Sequence, residues 1–193
     1  VLNAKNRLNI TVVHPSGLIG PEDYCNGSMT RMIKLYLKRK LPTGVKGGYD
    51  FSDVRDVARG VIKASEYEKS GECFILSGHY KLIKDLFSEI DQNTGIGRSL
   101  PCVPLSMAKA AAPVFEAASL RRKEKPYFTP YSIHVLGSNG LFSHEKAAEL
   151  LGYTVRPVSE TIRDTVEFLM AHEKIQTKKR KGIVKPVLNK SLC

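Results

Sequence analysis

The 193-residue chain lacks the patterns that are typical of membrane proteins, metal sites and disulfide frameworks. No apolar run approaches the ~20 residues of a bilayer-spanning helix, and no basic-then-apolar leader with a cleavage site opens the chain. Its four cysteines form no Cys-x-x-Cys pair, and its five histidines form no His-Glu-x-x-His. We therefore expect free thiols in a reducing, cytoplasmic compartment and no bound metal.

Catalytic signatures are also scarce. The segment that comes nearest to a glycine-rich phosphate loop, residues 94–99, lacks a third glycine and follows a predicted helix, so we interpret it as a helix stop. Tyr-x-x-x-Lys spacing occurs at Tyr36 with Lys40 and at Tyr80 with Lys84. A four-residue spacing of common residue types arises by chance, and we assign neither pair a role. We expect no catalytic residue within this chain.

Acidic residues are outnumbered, which gives a formal net charge of +11. Seven basic residues and no acidic one fall in residues 174–193, so the rest of the chain carries about +4 by subtraction of seven from eleven. We interpret residues 173–193 as a solvated basic tail and residues 1–172 as the folded part. A tail that binds nucleic acid or an anionic membrane is the alternative.

What the sequence does contain is an alternation of short apolar runs and helical patterns. An apolar run from Leu8 to His14 ends in Pro15-Ser16-Gly17, which predicts a buried strand that opens into a tight loop. Further strands and helices follow in turn, and 42% of the residues are hydrophobic, enough for a core. The pattern predicts an α/β fold with a helical appendage. Residues 126–138 are predicted to be an irregular connection.

A helix is predicted to begin just after Asp53 or just after Asp56, since either residue is a good N-cap. The helical spacing of its side chains predicts one inward face. That face is predicted to contain Val57, Val61, Ile62 and Ser65.

Four segments, taken in order, resemble the extended short-chain dehydrogenase/reductases of the NAD-dependent epimerase/dehydratase superfamily, and in particular the dihydroflavonol-reductase-like branch. The segments are residues 12–21 (VVHPSGLIGP), 51–58 (FSDVRDVA), 71–78 (GECFILSG) and 143–157, with SHEKA, LLGY and RP. The resemblance implies the C-terminal part of a Rossmann-type parallel sheet plus a small, mainly helical substrate-binding lobe. It also implies that the glycine-rich loop and the catalytic tyrosine are expected upstream of Val1.

In this family the loop after the strand of the first segment, residues 12–21, lines the nicotinamide end of NAD or NADP. By position, the resemblance implies that His14, Pro15 and Ser16 contact the cofactor through backbone and hydroxyl groups. Ser28, farther along the same loop, either touches the cofactor or caps the helix at Met29. The resemblance leaves open which of the two cofactors is used.

The resemblance places the substrate against Gly17, Leu18 and Tyr49. Nucleotide-sugar epimerases and dehydratases of the superfamily usually have an arginine at the position of Tyr49, and a tyrosine cannot replace its charge on a diphosphate. The implied function is therefore an NAD(P)-dependent reductase of a small-molecule ketone or aldehyde. The alternatives are a nucleotide-sugar epimerase or dehydratase and a non-catalytic, reductase-like binding module.

The expected partners follow from the same resemblance. They are the carbonyl substrate and the missing N-terminal half of the same protein, with a homodimer left open and with nucleic acid, membrane and metal not expected. Because most of the groups that hold the cofactor belong to that half, this fragment alone is expected to be inactive.

Overall fold

The computed structural model describes residues 9–96, 100–123, 126 and 129–172. The strands are Thr11–Pro15 (β1), Gly17–Ile19 (β2), Gly44–Val45 (β3), Gly48–Asp53 (β4), Glu72–Leu76 (β5), His79–Leu82 (β6) and Cys102–Val103 (β7). The helices are Ser28–Leu37 (α1), Val54–Ser65 (α2), Ile83–Thr94 (α3), Leu105–Arg121 (α4), Pro130–Leu136 (α5), Glu145–Leu151 (α6) and Val158–His172 (α7). The predicted basic tail lies outside the described residues.

The strands pair mostly in parallel. Strand β1 runs parallel to β5, with Val13 opposite Phe74, and β2 runs parallel to β4, with Gly17 opposite Phe51. Strand β6 adds to β4 in the antiparallel sense, while β3 and β7 form a separate parallel pair. Parallel neighbours require crossover connections, which the intervening helices supply. The predicted α/β class with parallel strands is confirmed. Two details of the first strand are wrong: no residue of β1 is fully buried, and the predicted loop contains β2, because Gly17 to Ile19 pair with β4.

Three clusters of buried side chains hold these layers together. The largest joins α1, α3 and α7 to β4, and it includes the fully buried Ile33, Leu86 and Ile162. The second packs α2 and α6 on β5, and the third joins α4 and α5 to β3. The third cluster is the core of a small, mainly helical lobe, which agrees with the predicted appendage.

Helix α2 begins just after Asp53, the first of the two predicted N-caps, but it turns a different face inward. The Asp53 carboxylate caps it by accepting a hydrogen bond from the Arg55 amide at 2.8 Å. The buried face contains Asp56, Val57, Gly60 and Ala64, so only Val57 of the predicted set is inside. The other three, Val61, Ile62 and Ser65, are exposed, and the prediction for them is wrong.

The small residues of α2 explain the difference. A Cβ on Gly60 would lie 2.9 Å from the Tyr153 ring and 3.0 Å from the Leu76 side chain. The helix therefore approaches β5 more closely along its Gly60 and Ala64 side than bulky side chains would allow. Hydrophobic spacing alone cannot show which of two apolar stripes is the one that packs.

The predicted irregular connection at residues 126–138 contains helix α5, and that prediction is wrong for residues 130–136. Thr129 and Ser132 form a reciprocal capping box: the Ser132 amide donates to Thr129 Oγ1 at 3.0 Å, and the Thr129 amide donates to Ser132 Oγ at 2.9 Å. Pro130 occupies the first helical position, where its missing N–H costs nothing. The sequence Thr-Pro-x-Ser carries this signal.

Two absences apply to the described residues only. None of their helices combines the length and apolar character needed to cross a bilayer. Within the same part of the chain, no group of three or more histidine, cysteine, aspartate or glutamate residues could hold a metal ion. Cys25, Cys73 and Cys102 are free thiols.

Candidate functional site

The carboxyl end of β1 presents the residues predicted to contact the cofactor. His14 and Pro15 are exposed, and Ser16 is half-buried between β1 and β2. In open α/β sheets, ligands bind outside the carboxyl ends of the parallel strands. The structure therefore places the predicted cofactor residues at an edge of this type, although their role stays a prediction.

Two consecutive hydrogen bonds connect the Ser16 side chain to β5 through Ser52. The Ser16 hydroxyl lies 2.6 Å from the Ser52 hydroxyl, and Ser52 Oγ donates to the Leu76 carbonyl at 3.1 Å. A hydroxyl has one proton, so Ser52 uses its proton on that carbonyl and must accept from Ser16. The Ser16 oxygen keeps its lone pairs, which makes it an acceptor toward any ligand at this edge.

Two cavities lie beside β2 and the start of α1. The Tyr49 cavity, of about 350 Å³, is lined by Gly17, Ser28 and residues of α1, β4 and α5, among them Met29, Met32, Tyr49, Phe51, Val135 and Leu136. The Leu18 cavity, of about 550 Å³, is lined by residues 18–23, 27–30 and 54. Of the predicted substrate residues, Gly17 and Tyr49 thus share one cavity and Leu18 lines the other.

The geometry of Tyr49 depends on Gly17. A Cβ on Gly17 would lie 2.9 Å from the Asp50 carbonyl oxygen and 3.0 Å from the Tyr49 ring, so only glycine allows β2 to pass this closely. The Tyr49 ring makes edge-to-face contacts with Phe51 and Phe142, with centroids 6.1 and 5.8 Å away. These contacts hold the ring as one wall of the Tyr49 cavity.

Ser28 is the first residue of α1, and Gly27 is the N-cap. The loop before the helix is held by Asp23, whose carboxylate accepts hydrogen bonds from the amides of Cys25 and Gly27 at 3.0 and 2.8 Å. The predicted alternative, in which Ser28 caps the helix, is therefore wrong. Ser28 instead lines both cavities and stands between them.

An ion network built on the buried carboxylates of Asp53 and Asp56 was not predicted from the sequence. The Asp56 carboxylate accepts from the Arg156 amide at 2.8 Å and from Arg156 Nε and Nη2 at 2.9 and 2.8 Å. It also pairs with Arg59. The two partners Asp56 and Arg156 are 100 residues apart, so no local pattern could join them, although both belong to the segments that carried the family resemblance.

The neighbouring carboxylates Asp53 and Asp164 share Arg55, at 2.7 and 2.8 Å. Burial on its own would raise the pKa of both carboxyls. Hydrogen bonds and charge from Arg55, together with hydrogen bonds from Thr161 to Asp53 and from Arg163 to Asp164, outweigh burial and hold each pKa below its ordinary value. In acid, the folded state therefore binds fewer protons than the unfolded state. The resulting stabilisation is fully present above the unfolded pKa of about 4. It is lost as the pH falls through the lower folded value.

We expect the free energy of unfolding to hold steady from pH 7 to about pH 5 and to fall below about pH 4. Asp53→Asn keeps a good N-cap but removes one titrating partner of Arg55, so its acid-induced loss should be shallower. Urea denaturation at a series of pH values measures both curves. Equal slopes for Asp53→Asn and the unmodified chain would contradict this assignment.

Two curated proteins match this chain in sequence. The chain is 25% identical over 178 residues to a Synechocystis protein provisionally named dihydroflavonol 4-reductase, covering 90% of this chain and 52% of that protein. It is 23% identical over 168 residues to sterol demethylase protein B of Methylococcus capsulatus, covering 86% and 51%. The chain therefore spans about half the length of the curated relatives it matches. No family model matches it.

Solved structures share the fold. The crystal structure of gox2253 superposes with a TM-score of 0.73 at 27% identity, covering 91% of this chain and 54% of that one. UDP-glucuronic acid 4-epimerase from Bacillus cereus, solved with UDP-glucuronic acid and NAD, gives a TM-score of 0.60 at 20% identity, covering 87% and 48%. RMD from Pseudomonas aeruginosa, complexed with NADPH, gives 0.60 at 12% identity, covering 89% and 52%.

The superpositions agree with the parallel strands, and the sequence matches extend over 86–90% of this chain. In sequence and in fold, this chain resembles the C-terminal half of an extended short-chain dehydrogenase/reductase of the NAD-dependent epimerase/dehydratase superfamily, with dihydroflavonol-reductase-like relatives.

Proposed function

We propose that the complete protein is an NAD(P)-dependent oxidoreductase that reduces a ketone or aldehyde by hydride transfer. In this proposal the present chain supplies the wall against the nicotinamide end of the cofactor and most of the substrate cavity. The catalytic groups come from residues outside this chain. Support comes from one relative that is provisionally named a dihydroflavonol 4-reductase and from fold neighbours solved with NAD or NADPH.

The observation that carries the proposal is the continuity of the Ser16–Gly17 peptide. Ser16 directly follows the exposed end of β1, and Gly17, the next residue, lines the Tyr49 cavity. A ring held against Pro15 and Ser16 would therefore lie beside a molecule in that cavity. Hydride transfer requires such contact, because the two reacting carbons must meet in one orientation.

The residues at this edge fit a nicotinamide. Ser16 Oγ is an acceptor, since its proton is used on Ser52, and the carboxamide of nicotinamide offers N–H donors. Pro15 is exposed and presents an apolar ring without an N–H group. When bound, the nicotinamide would supply the hydride. The role of this chain is to orient the nicotinamide and to exclude water from the side of the ring that faces the Tyr49 cavity.

The test uses the protein expressed from its complete open reading frame. Consumption of NADH or NADPH that depends on an added ketone or aldehyde supports the proposal. Interconversion of UDP- or dTDP-sugars without net consumption of cofactor would establish the epimerase alternative. If the complete protein binds neither cofactor, only a reductase-like binding module remains. The 193-residue chain by itself should bind NADPH weakly or not at all in calorimetry.

Ser16→Ala tests the cofactor edge within the complete protein. It removes one acceptor and should raise the Kd for NAD(P)H about two- to tenfold, because a net hydrogen bond contributes about 0.5–1.5 kcal/mol. Ser88→Ala is the matched control, since Ser88 is exposed on α3 and its hydroxyl donates to the Lys84 carbonyl. An unchanged Kd for Ser16→Ala would remove Ser16 from the cofactor site.

A further inference from the structure

The walls of the Tyr49 cavity are built by elements from distant parts of the chain. Helix α1 contributes Met29 and Met32, strand β4 contributes Tyr49 and Phe51, and α5 contributes a further apolar wall. A volume of about 350 Å³ is within the range of pockets that enclose small organic molecules. The cavity is thus large enough for a compound of one or two rings.

The lining is uncharged. Among the residues that the structure describes, every side chain that lines the Tyr49 cavity is apolar, aromatic or a hydroxyl. Two of the hydroxyls, on Thr129 and Ser132, bond to each other's amides in the capping box of α5. They stabilise the helix that forms the wall, so this wall offers mainly carbon to a ligand.

The two arginines Arg55 and Arg156 are committed to carboxylates and do not line the Tyr49 cavity. Arg55 binds Asp53 and Asp164, and Arg156 binds Asp56. A phosphate or a carboxylate needs a cationic partner when it leaves water, and bidentate binding to arginine is its strongest form. An anionic ligand in the Tyr49 cavity would find no such partner among the described lining residues.

We infer that the Tyr49 cavity takes a neutral, mostly apolar carbonyl compound and rejects anionic ones, nucleotide sugars included. The inference rests on the proposed function, because it names the substrate class of the same site. Burial of carbon surface supplies the affinity. Two methionine side chains, which are flexible and polarisable, let the cavity adapt to more than one ring shape. The carbonyl group is left to point toward Gly17 and the end of β1.

Calorimetry with the complete protein and the oxidised form of whichever cofactor it binds, NAD or NADP, tests the inference, because binding is then measured without turnover. The probes are a phenyl-substituted cyclohexanone and the same ketone with a carboxylate on its phenyl ring. The neutral ketone should bind at least about tenfold more tightly, since the carboxylate loses its water without gaining a cation. UDP-glucose should be the weakest of the three.

Two variants place a cation at the cavity. Met32→Lys adds it to the wall, and Tyr131→Arg adds it at the mouth, where the side chain is 77% exposed and folding is not at risk. Each should shift the preference toward the carboxylate by about tenfold. Val114→Lys adds the same charge to α4 at an exposed position outside the lining, and should leave the preference unchanged.

The outcomes separate this inference from the proposed function. Tight binding of the neutral ketone with no cofactor consumption would uphold the cavity's selectivity and refute the reductase. Equal or tighter binding of the carboxylate or of UDP-glucose would overturn the inference, whatever the complete protein catalyses. So would a preference that neither Met32→Lys nor Tyr131→Arg shifts.

Discussion

Asp56→Ala should lower the free energy of unfolding by about 3–5 kcal/mol, because it breaks a buried ion pair by removing one partner. The Asp56 side chain is 1% exposed and that of Arg156 14% exposed, so the guanidinium would be left poorly hydrated. The pair also connects α2 to the segment between α6 and α7 through the Arg156 amide. Asp53 and Glu160 stay within 3.5 and 3.3 Å of Arg156 and place the cost toward the lower end of the range.

Glu160→Ala is the control for that result. Glu160 contacts the same guanidinium, but its side chain is 40% exposed and water screens the pair. Its removal should cost about 0–1 kcal/mol. Urea denaturation of both variants at neutral pH gives the two values. If they are equal, burial does not set the strength of this network, and Asp56 is not its centre.

The sequence predicted the parallel core well because the signals there are local. The Asp53 cap and the stop of α3 at Gly95 both follow from residues close together in the chain. Gly95 has φ of 64°, a conformation that glycine adopts without strain, and it ends the helix as predicted. Where one short stretch decides the conformation, sequence and structure agree.

The wrong predictions concern features that depend on residues distant in sequence. Whether Val61 and Ile62 of α2 are buried depends on what packs on that helix, and Tyr153 and Leu76 draw the Gly60 side inward instead. The Asp56–Arg156 pair likewise exists only after folding. Spacing within a helix cannot predict either outcome, because both depend on contacts between segments far apart in sequence.

The candidate site was predicted in part. Gly17 and Tyr49 came from the resemblance, and the structure brings them together at one cavity. The opposite wall, α5, was missed because its apolar residues are few and aromatic residues and prolines surround them. Thr129 and Ser132 carried the helix signal, yet a capping box is short and is easily taken for a turn.

Phe74→Ala should cost about 3–5 kcal/mol, since it empties the centre of the cluster that holds β1 and β5 against α2. Phe74 is fully buried, with Tyr67 edge-to-face at 5.3 Å and Lys146 Nζ 5.1 Å from its ring centroid. Its neighbour Ile75 points to the other face of the strand and is 42% exposed. Ile75→Ala should therefore change stability by no more than about 0.5 kcal/mol in this chain.

The contrast between Phe74 and Ile75 also reports on what lies outside this chain. If further residues of the complete protein cover the exposed face of β5, Ile75→Ala should cost about 2–5 kcal/mol there, as a buried isoleucine does. Comparing the urea midpoints of Ile75→Ala in the 193-residue chain and in the complete protein measures this difference. A cost that stays small in both would show that this face of the sheet remains in water, and would contradict a partner layer on the side of β5 that bears Ile75.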